Sequence, residues 1–439
     1  MPEVSKKITE ELTISKEKSF EIQKEVKNIA EFKEKINQSL DKSITELLEV
    51  VMAGGIHLDA SDIHIEPAEK EAKIRVRIDG LLQDVVIINL AIYENLLSRI
   101  KLLSEIKLNI TDRPQDGRFT VLLGGPPIEI RVATLPAEYG EAIVMRILNP
   151  KSLIGLEDLG LREDLLKIFE KEIKKPNGMI IITGPTGSGK TTTLYAFLNK
   201  IQKPEIKIIT IEDPIEYHLK GISQTQVNPP KGYDFPSGLQ AIVRQDPDVI
   251  LVGEIRDAKT CQIALQAALT GHLVFSTLHT NDAAGTVARL TSLEGDLANI
   301  GPAVNLTIAQ RLVRKVCPKC SKMEKVSPKI LEKIKKELKG IPKEIKIQGL
   351  ISKIGSAIKI PQAKGCQFCN FTGYRGRLGI FEAILIDDEM EKFILKNPSI
   401  AAFREEAIKK GMITMYQDGL IKVLEGMTTI EEVERITGE

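Results

Sequence analysis

The feature that most constrains this chain is the run GPTGSGKT at residues 184–191. It follows the apolar run Met179–Ile182 and leads into TTLYAFLNKI, which has the composition of a helix. A strand, a glycine-rich loop and a helix in this order form a phosphate-binding loop, because backbone N–H groups and the helix N-terminus then face the anion. A chance glycine-rich turn is the alternative, which the complete pattern and its flanks disfavour. The chain is therefore predicted to contain an α/β domain that binds a nucleotide.

Each residue of the loop is a candidate nucleotide ligand. Lys190 is expected to reach the β- and γ-phosphates, and Thr191 to offer its hydroxyl to Mg²⁺. ATP and Mg²⁺ are thus the expected cofactors, with the following binding residues: Gly184, Pro185, Thr186, Gly187, Ser188, Gly189, Lys190, Thr191 and Thr192.

Three further apolar runs, KIITIE, VILVGE and HLVFSTL, alternate with helix-like stretches between about residues 151 and 315. This pattern predicts a parallel sheet covered on both faces. Glu254 ends the second run, and we assign it to the Mg²⁺ and water side of the site rather than to a surface cap. Glu212 ends the first and is the preferred group to orient or deprotonate the attacking water, with Glu254 as its rival. His279 follows the third run. It is expected either to sense the γ-phosphate or to be a histidine packed within a loop.

Residues 41–150 are predicted to form a small α+β domain. The runs SDIHIEP, KIRVRIDG and IEIRVATLP indicate short strands, separated by turn signals at Asp79-Gly80, Asp116-Gly117 and Gly124-Gly125-Pro126. Within KIRVRIDG, apolar residues alternate with Arg75 and Arg77, so both arginines project from one face. That face could meet phosphate or could simply be solvated.

Composition adds few constraints on partners. A net charge of +1 over 439 residues gives no global attraction to nucleic acid or membrane, and no basic stripe interleaved with aromatic residues indicates direct DNA contact. The opening residues MPEVSKKITEEL resemble neither a secretory signal nor a transit peptide, and no apolar run approaches the ~18 residues of a membrane span. The expectation is a cytoplasmic protein that meets a membrane only through partners.

The remaining segments complete a prediction of five parts. Residues 1–40 are a polar helical arm, read either as a solvated or tethering helix or as a poorly ordered terminus. Residues 41–150 are the small α+β domain, 151–315 the P-loop core, 316–376 a cysteine-bearing lobe and 377–439 a helical region ending in TTIEEVERIT, a short helix with a threonine cap. Four of the five cysteines form two CxxC pairs, which favours metal over disulfide, and Cys261 stands alone on a helix predicted to be buried.

Taken together, these motifs resemble the secretion ATPases of the GspE/PilB type from about residue 41 to the C-terminus. The resemblance rests on eight motifs in order: SDIHIEP, RVRIDG, QDGRF, GPTGSGKT, ITIEDPIEY, RQDPDVILVGEIRD, TGHLVFSTLHTNDA and GYRGRLGIFE. It implies a RecA-like P-loop ATPase domain, a preceding PAS-like α+β domain, and a C-terminal zinc-bearing and helical region.

The resemblance also implies roles for particular residues. Arg77, Arg118 and Arg131 become candidates to meet the γ-phosphate, and Arg75 and Arg146 are further ones. Two CxxC pairs match the family's structural Zn²⁺ element, whose four thiolates leave no open position for chemistry: Cys317, Cys320, Cys366 and Cys369. Retraction motors of the same superfamily generally lack this element, so its presence favours an assembly or secretion motor.

The function implied is a homo-hexameric motor that hydrolyses ATP to power type IV pilus assembly or type II protein secretion. It would act at the inner face of the cell membrane through an integral-membrane platform protein and possibly a recruiting partner. Only about 40 polar residues precede the matching region, which leaves recruitment open. Two alternatives are a motor for DNA uptake, with DNA as an indirect cargo, and a nucleotide-binding scaffold without turnover.

Overall fold

The structure is a computed structural model that describes residues 10–150, 153–294, 296–341 and 358–439. The chain divides into two compact units. The first unit contains Met1–Ser152 with Lys364–Arg375, and the second contains Leu153–Ala363 with Gly376–Glu439. This division cuts the predicted lobe at 316–376 and places residues 10–40 with the small α+β domain.

The first unit is an antiparallel sheet with helices against its apolar face. Its strands are β1 (Glu11–Thr13), β2 (Asp62–Pro67), β3 (Glu71–Ile78), β4 (Leu81–Asn89), β5 (Gln115–Leu122), β6 (Ile128–Ala137) and β7 (Gly140–Leu148). They lie in the order β1-β5-β6-β7-β2-β3-β4, in which only the short β1 pairs in parallel. The helices are α1 (Lys16–Glu25), α2 (Ile29–Asn37), α3 (Ile44–His57) and α4 (Leu90–Leu103).

Local sequence explains where these helices start. Each begins after a residue whose side-chain oxygen accepts a first-turn N–H, which satisfies one orphan donor of the helix end: Ser15, Asn28, Ser43 and Asn89. Residues of the predicted polar arm join the core, since Ile22, Phe32 and Ile36 are fully buried. The helical spacing of apolar residues in this segment therefore reflects packing in the first unit.

One predicted turn of this unit is wrong. Asp116-Gly117 lies inside β5, whereas the turn signals at Asp79-Gly80 and at Gly124–Pro126 do fall between strands. Gly117 is needed because a Cβ there would lie 2.3 Å from the backbone oxygen of Ser104. The glycine therefore allows a close approach of the chain after α4, and it does not reverse the strand.

The second unit is a mostly parallel α/β sheet, as predicted. Its strands are β8 (Gly178–Thr183), β9 (Ile208–Glu212), β10 (Ser223–Gln226), β11 (Val249–Val252), β12 (Leu273–Leu278), β13 (Val304–Val316) and β16 (Tyr374–Leu385), in the order β10-β9-β11-β12-β8-β13-β16. Strands β8, β9, β11 and β12 are buried along their whole length. A separate ribbon pairs β14 (Lys322–Lys325) with β15 (Lys359–Gln362).

Helices cover this sheet and form the C-terminal region. Around the sheet lie α5 (Glu163–Glu172), α6 (Lys190–Ile201), α7 (Phe235–Val243), α8 (Ala258–Leu269), α9 (Ala284–Glu294) and α10 (Leu297–Ala303). Helix α11 (Pro328–Glu337) contacts the C-terminal helices through the ion pair of Lys333 with Glu434. The chain ends with α12 (Asp388–Ile394), α13 (Ile400–Lys409), α14 (Met415–Leu424) and α15 (Ile430–Thr437). Thr429 caps α15 as predicted, and Cys261 is buried in α8. Within the described ranges, no helix has the length and apolarity to cross a membrane.

Candidate functional site

The GPTGSGKT run forms the connection between β8 and α6. Gly189 immediately precedes the helix with φ at +88°, a conformation that L side chains rarely adopt. A Cβ at this position would also lie 2.9 Å from the Gln310 Nε2 atom. The loop therefore turns tightly into the N-terminus of α6, where unpaired backbone N–H groups favour an anion.

The side chains of the loop fit a nucleotide phosphate. The Lys190 Nζ atom donates to the backbone oxygens of Gly184 at 2.7 Å and Pro185 at 3.1 Å, which holds the ammonium over the loop. Burial lowers the pKa of Lys190, while the Glu254 carboxylate opposes that effect. The buried Ser188 Oγ atom has no hydrogen-bond partner among the described residues, so a phosphate oxygen could satisfy it. Thr191 is half-buried in the first turn of α6, where a hydroxyl could reach Mg²⁺.

Glu254 and His279 lie together beyond the ends of β11 and β12, which pair in parallel up to Val252 and Ser276. The His279 Nε2 atom is 3.3 Å from one Glu254 oxygen, and the Arg256 Nη2 atom is 2.7 Å from the other. Parallel strands place their carboxyl ends at one edge of the sheet, which is where α/β proteins bind ligands. The structure thus brings these two predicted residues into one cluster near Lys190.

Glu212 is the last residue of β9. This strand pairs with β11 along the edge of β11 that faces away from β12. Its carboxylate is buried and accepts hydrogen bonds from Tyr195 Oη, Thr210 Oγ1 and Gln224 Nε2. Burial and the neighbouring Glu212 charge raise the pKa of Tyr195, so the phenol remains a donor. The side chain of Glu212 is therefore held in a fixed orientation, whereas Glu254 lies in a more open cluster.

The arginine candidates of the first unit lie in one line across its sheet. Direct cross-strand partners connect Arg118 to Arg131, Arg131 to Arg146, Arg146 to Asp62, and Asp62 to Arg77. Directly opposite residues project from the same face of a sheet. These five residues, which we call the arginine row, therefore lie on the face opposite the apolar core. Alternation within β3 predicts part of this row, but its continuation over five strands depends on register.

The charges within the arginine row are unequally compensated. Asp62 is buried, and its two carboxylate oxygens lie 3.0 Å from Arg146 Nε and 3.4 Å from Arg77 Nε. Arg131 has Glu129 at 3.5 Å, while Arg118 is exposed and has no ion-pair partner among the described residues. Arg75, two residues before Arg77, is bound to Asp84 at 2.9 Å and Glu66 at 3.2 Å. The row is consequently a positively charged surface that could bind an anion.

Two residues of the phosphate site were missed by sequence reasoning. Gln310 and Arg311 lie in β13 beside the glycine loop, and the Gln310 Oε1 atom accepts a hydrogen bond from Thr193 in α6 at 2.8 Å. Nothing in the local run IAQRLVR indicates this placement, because the strand order that brings β13 next to β8 is a property of the fold. The polar pair Gln310-Arg311 within a largely apolar run marks these residues as unusual, but it does not show which strand lies beside them.

The four cysteines of the two CxxC pairs come together as predicted. Their Sγ atoms all lie within 4.8 Å of one another, and Cys366 and Cys369 are 3.8 Å apart. Tetrahedral Zn²⁺ with Zn–S bonds of about 2.3 Å requires sulfur atoms about 3.8 Å apart, so this cluster fits the metal. The Cys369 sulfur also accepts N–H groups from Cys366 and Gly373, which would stabilise a thiolate. The cluster could therefore hold Zn²⁺ through Cys317, Cys320, Cys366 and Cys369.

Comparisons with known proteins agree with the site. The profile of the family described as "Type II/IV secretion system protein" matches residues 37–435. Type II secretion system protein E of Pectobacterium carotovorum is 44% identical over 400 residues, which cover 91% of this chain and 76% of that protein. The type IV pilus assembly ATPase PilB of Thermus thermophilus is 43% identical over 376 residues, which cover 85% of this chain and 41% of that protein.

The fold is also found in a solved structure. The ATPase DotB of Legionella pneumophila superposes with a TM-score of 0.65 over 89% of this chain and 95% of that one, at 21% identity. That likeness supports the RecA-like architecture of the second unit.

The glycine loop, its helix and the acidic strand ends define a RecA-like P-loop ATPase. This chain belongs to the family of type II/IV secretion system proteins, whose related members include secretion and pilus-assembly ATPases. ATP and Mg²⁺ are the cofactors that this family implies.

Proposed function

We propose that this chain forms a homo-hexameric ring that hydrolyses ATP to drive type II protein secretion or type IV pilus assembly. The observation that carries this proposal is the convergence of Lys190, Glu254 and His279 at one edge of the parallel sheet, beside the buried Glu212. Its partners would be an integral-membrane platform protein and possibly a recruiting protein at the inner face of the cell membrane. The relatives named above supply the two processes between which the experiment decides.

Each candidate site residue of the second unit has a proposed role in the reaction. The backbone of residues 184–189 binds the phosphates, Lys190 neutralises charge on the β- and γ-phosphates, and Thr191 with Glu254 binds Mg²⁺. Glu212 orients or deprotonates the attacking water, because three donors hold its carboxylate in one orientation. His279, exposed and bound to Glu254, senses the γ-phosphate.

The arginine row supplies the remaining cations. We assign Arg118 to the γ-phosphate before Arg131 and Arg77, because Arg118 has no ion-pair partner among the described residues, whereas Glu129 lies 3.5 Å from Arg131 and Asp62 lies 3.4 Å from Arg77. Arginines of this kind stabilise the charge of the transferring phosphoryl group.

Phosphate release by the purified protein tests hydrolysis. Lys190→Ala and Glu254→Gln should each lower the rate by roughly 10²–10³-fold, because each removes a charge that acts on the phosphates or on Mg²⁺. Lys174→Ala is a matched control, since this lysine is exposed in the same unit and follows α5. Wild-type release no faster than that of Lys190→Ala would instead support a scaffold that binds nucleotide without turnover.

Cells whose only copy carries Glu254→Gln separate the two processes. Loss of surface filaments with normal secretion would identify a pilus motor, and the converse would identify a secretion motor. Sedimentation of the protein with ATP should give a hexamer, and a monomer under all nucleotide conditions would contradict the ring.

A further inference from the structure

Arg311 lies at the junction between the phosphate loop and the turn that follows β12. Strand β13 pairs with β8 as far as Ala309 and Thr183, so Gln310 and Arg311 are the next residues beside the loop. The Arg311 Nη1 atom lies 3.0 Å from the position that a Cβ on Gly184 would occupy. Burial lowers the pKa of Lys190, and the positive charge of Arg311 adds to that effect, as expected of neighbouring cations.

The guanidinium of Arg311 spans two segments of the site. Its Nη1 atom donates to the backbone oxygen of Gln310 at 3.1 Å, and its Nη2 atom donates to the backbone oxygen of Asn281 at 2.8 Å. Asn281 is two residues after His279, which contacts Glu254. A single half-buried side chain thus connects β13, next to the glycine loop, with the residues that directly follow His279.

The residues 280–283, which we call the 280–283 turn, are held from several directions. The Thr280 N–H donates to Thr183 Oγ1 at 2.7 Å, and the Ala283 N–H donates to Glu382 Oε1 at 3.0 Å. Asp282 accepts from the Gly285 N–H at 2.7 Å and pairs with Arg404 of α13 at 2.9 Å. Each residue of the turn therefore has a partner among the described residues. Two of these partners adjoin the phosphate loop: Thr183, which precedes Gly184 and bonds Thr280, and Arg311, which bonds Asn281.

We infer that Arg311 is a positioning residue of the hydrolysis site, which fixes the 280–283 turn, and with it His279 and Glu254, relative to the phosphate loop. This inference rests on the proposed function, because its kinetic consequence requires that the site hydrolyses ATP. A planar guanidinium can donate to two carbonyls in fixed directions, whereas a lysine ammonium on a flexible stem carries the same charge without that geometry. Charge and geometry can therefore be separated experimentally.

The experiment compares Arg311→Lys, Arg311→Gln and a matched control, Arg314→Lys. Arg314 is in the same strand and binds Glu432, with Nη2 to Oε2 at 2.6 Å, so its replacement changes a buried contact away from the loop. For each protein we would measure kcat, KM, the Kd of a fluorescent ADP analogue and the thermal midpoint. Hydrogen exchange of the Thr280, Ala283 and Gly285 amides, which are bonded to side chains, reports the order of the turn directly.

Arg311→Lys should lower kcat roughly 10–100-fold, since misplacement by about 1 Å can cost two orders of magnitude. The Kd for ADP should stay within about threefold of wild type because the charge is retained. Exchange at the three amides should accelerate, and Arg314→Lys should change neither kcat nor that exchange. Arg311→Gln should show the same loss of kcat together with weaker ADP binding.

Two results would overturn the inference. In one, Arg311→Lys has the wild-type kcat and only Arg311→Gln binds ADP more weakly, which would mean that only the charge of Arg311 matters. In the other, the three amides exchange at the wild-type rate in both Arg311 variants. If wild type itself shows no hydrolysis, the proposed function fails, whereas hydrogen exchange still decides whether Arg311 orders the turn.

Discussion

The two sheets of this protein present their charged groups in different ways. The antiparallel sheet of the first unit buries one face and carries Arg118, Arg131, Arg146, Asp62 and Arg77 across the other. The parallel sheet of the second unit buries both faces of β8, β9, β11 and β12. Glu212 is accordingly the last residue of its strand, and Glu254 and His279 lie just beyond theirs. In the first unit, the alternation of side chains along each strand thus produces a charged face. In the second unit, the shared direction of the parallel strands places the charged groups together at one edge of the sheet.

The largest effect on kcat is expected for Arg118, the residue at the β5 end of the arginine row. If the row stabilises the transferring phosphoryl group, Arg118→Ala should lower kcat by roughly 10³–10⁵-fold and leave the Kd for ADP nearly unchanged. Steady-state phosphate release and ADP titration measure the two quantities. Arg113→Ala is the control, since that exposed arginine contacts only its neighbour Asp112 in the part of the chain described. A wild-type kcat in Arg118→Ala would indicate that the arginine row is a solvated face with no role in hydrolysis.

A somewhat smaller effect is expected at the edge of the parallel sheet. Glu212→Gln should lower kcat by roughly 10²–10⁴-fold, the usual contribution of a general base, because the amide keeps the shape and loses the negative charge. Phosphate release under saturating ATP would measure it. If Glu254→Gln abolishes turnover while Glu212→Gln does not, Glu254 is the base and Glu212 only orders Tyr195, Thr210 and Gln224.

A third effect concerns stability and pH in the second unit. Burial alone would raise the pKa of Glu432, but Arg435 and Arg314 bind its carboxylate and lower the pKa to about 2 from 4.5. A group with a depressed native pKa stabilises the fold above its unfolded pKa, and that contribution is lost as the pH falls from about 4.5 to about 2. The loss amounts to at most roughly 3 kcal/mol.

Urea unfolding between pH 2 and pH 6 measures this contribution. Glu432→Gln should unfold more easily at pH 6 and should show a shallower loss of stability on acidification than wild type. Parallel pH profiles of the two proteins would contradict the assignment.

The smallest effect on rate is expected at the cysteine cluster. Cys317→Ser should remove one equivalent of zinc per chain, measured by atomic emission, and should leave ADP binding at the loop intact, because a closed four-thiolate site supports folding and takes no part in chemistry. Cys261→Ser is the matched control, since that buried cysteine lies outside the cluster and should leave the zinc content unchanged. Equal zinc in both variants would exclude the cluster as the metal site.

The groups that can be predicted from the sequence are those whose role depends on local order. The loop from Gly184 to Thr191 and the two CxxC pairs are predictable because their chemistry requires short spacings. The strands before Glu212 and Glu254 are predictable because they are short, largely apolar runs. These predictions needed no knowledge of which strands are neighbours.

The rest depends on long-range pairing, which a single sequence does not specify. Arg311 reaches the loop only because β13 lies beside β8, and Arg118 joins Arg131 only through the register of β5 and β6. The local sequence predicts a turn at Gly117 because it contains no sign that Ser104 approaches β5. Local sequence patterns therefore predict the chemically active residues, whereas the residues that surround them are set by tertiary contacts.

The line of arginines across the first sheet also limits how this part of the chain can evolve. Moving β5 by one position relative to β6 would turn Arg118 inward and Phe119 outward, because side chains alternate along a strand. A single inserted residue within β5 or β6 would therefore exchange the charged and apolar surfaces together. The connection between them, at residues 123–127, can change length without that penalty, so natural variation in this region should accumulate in the loop and avoid the strands.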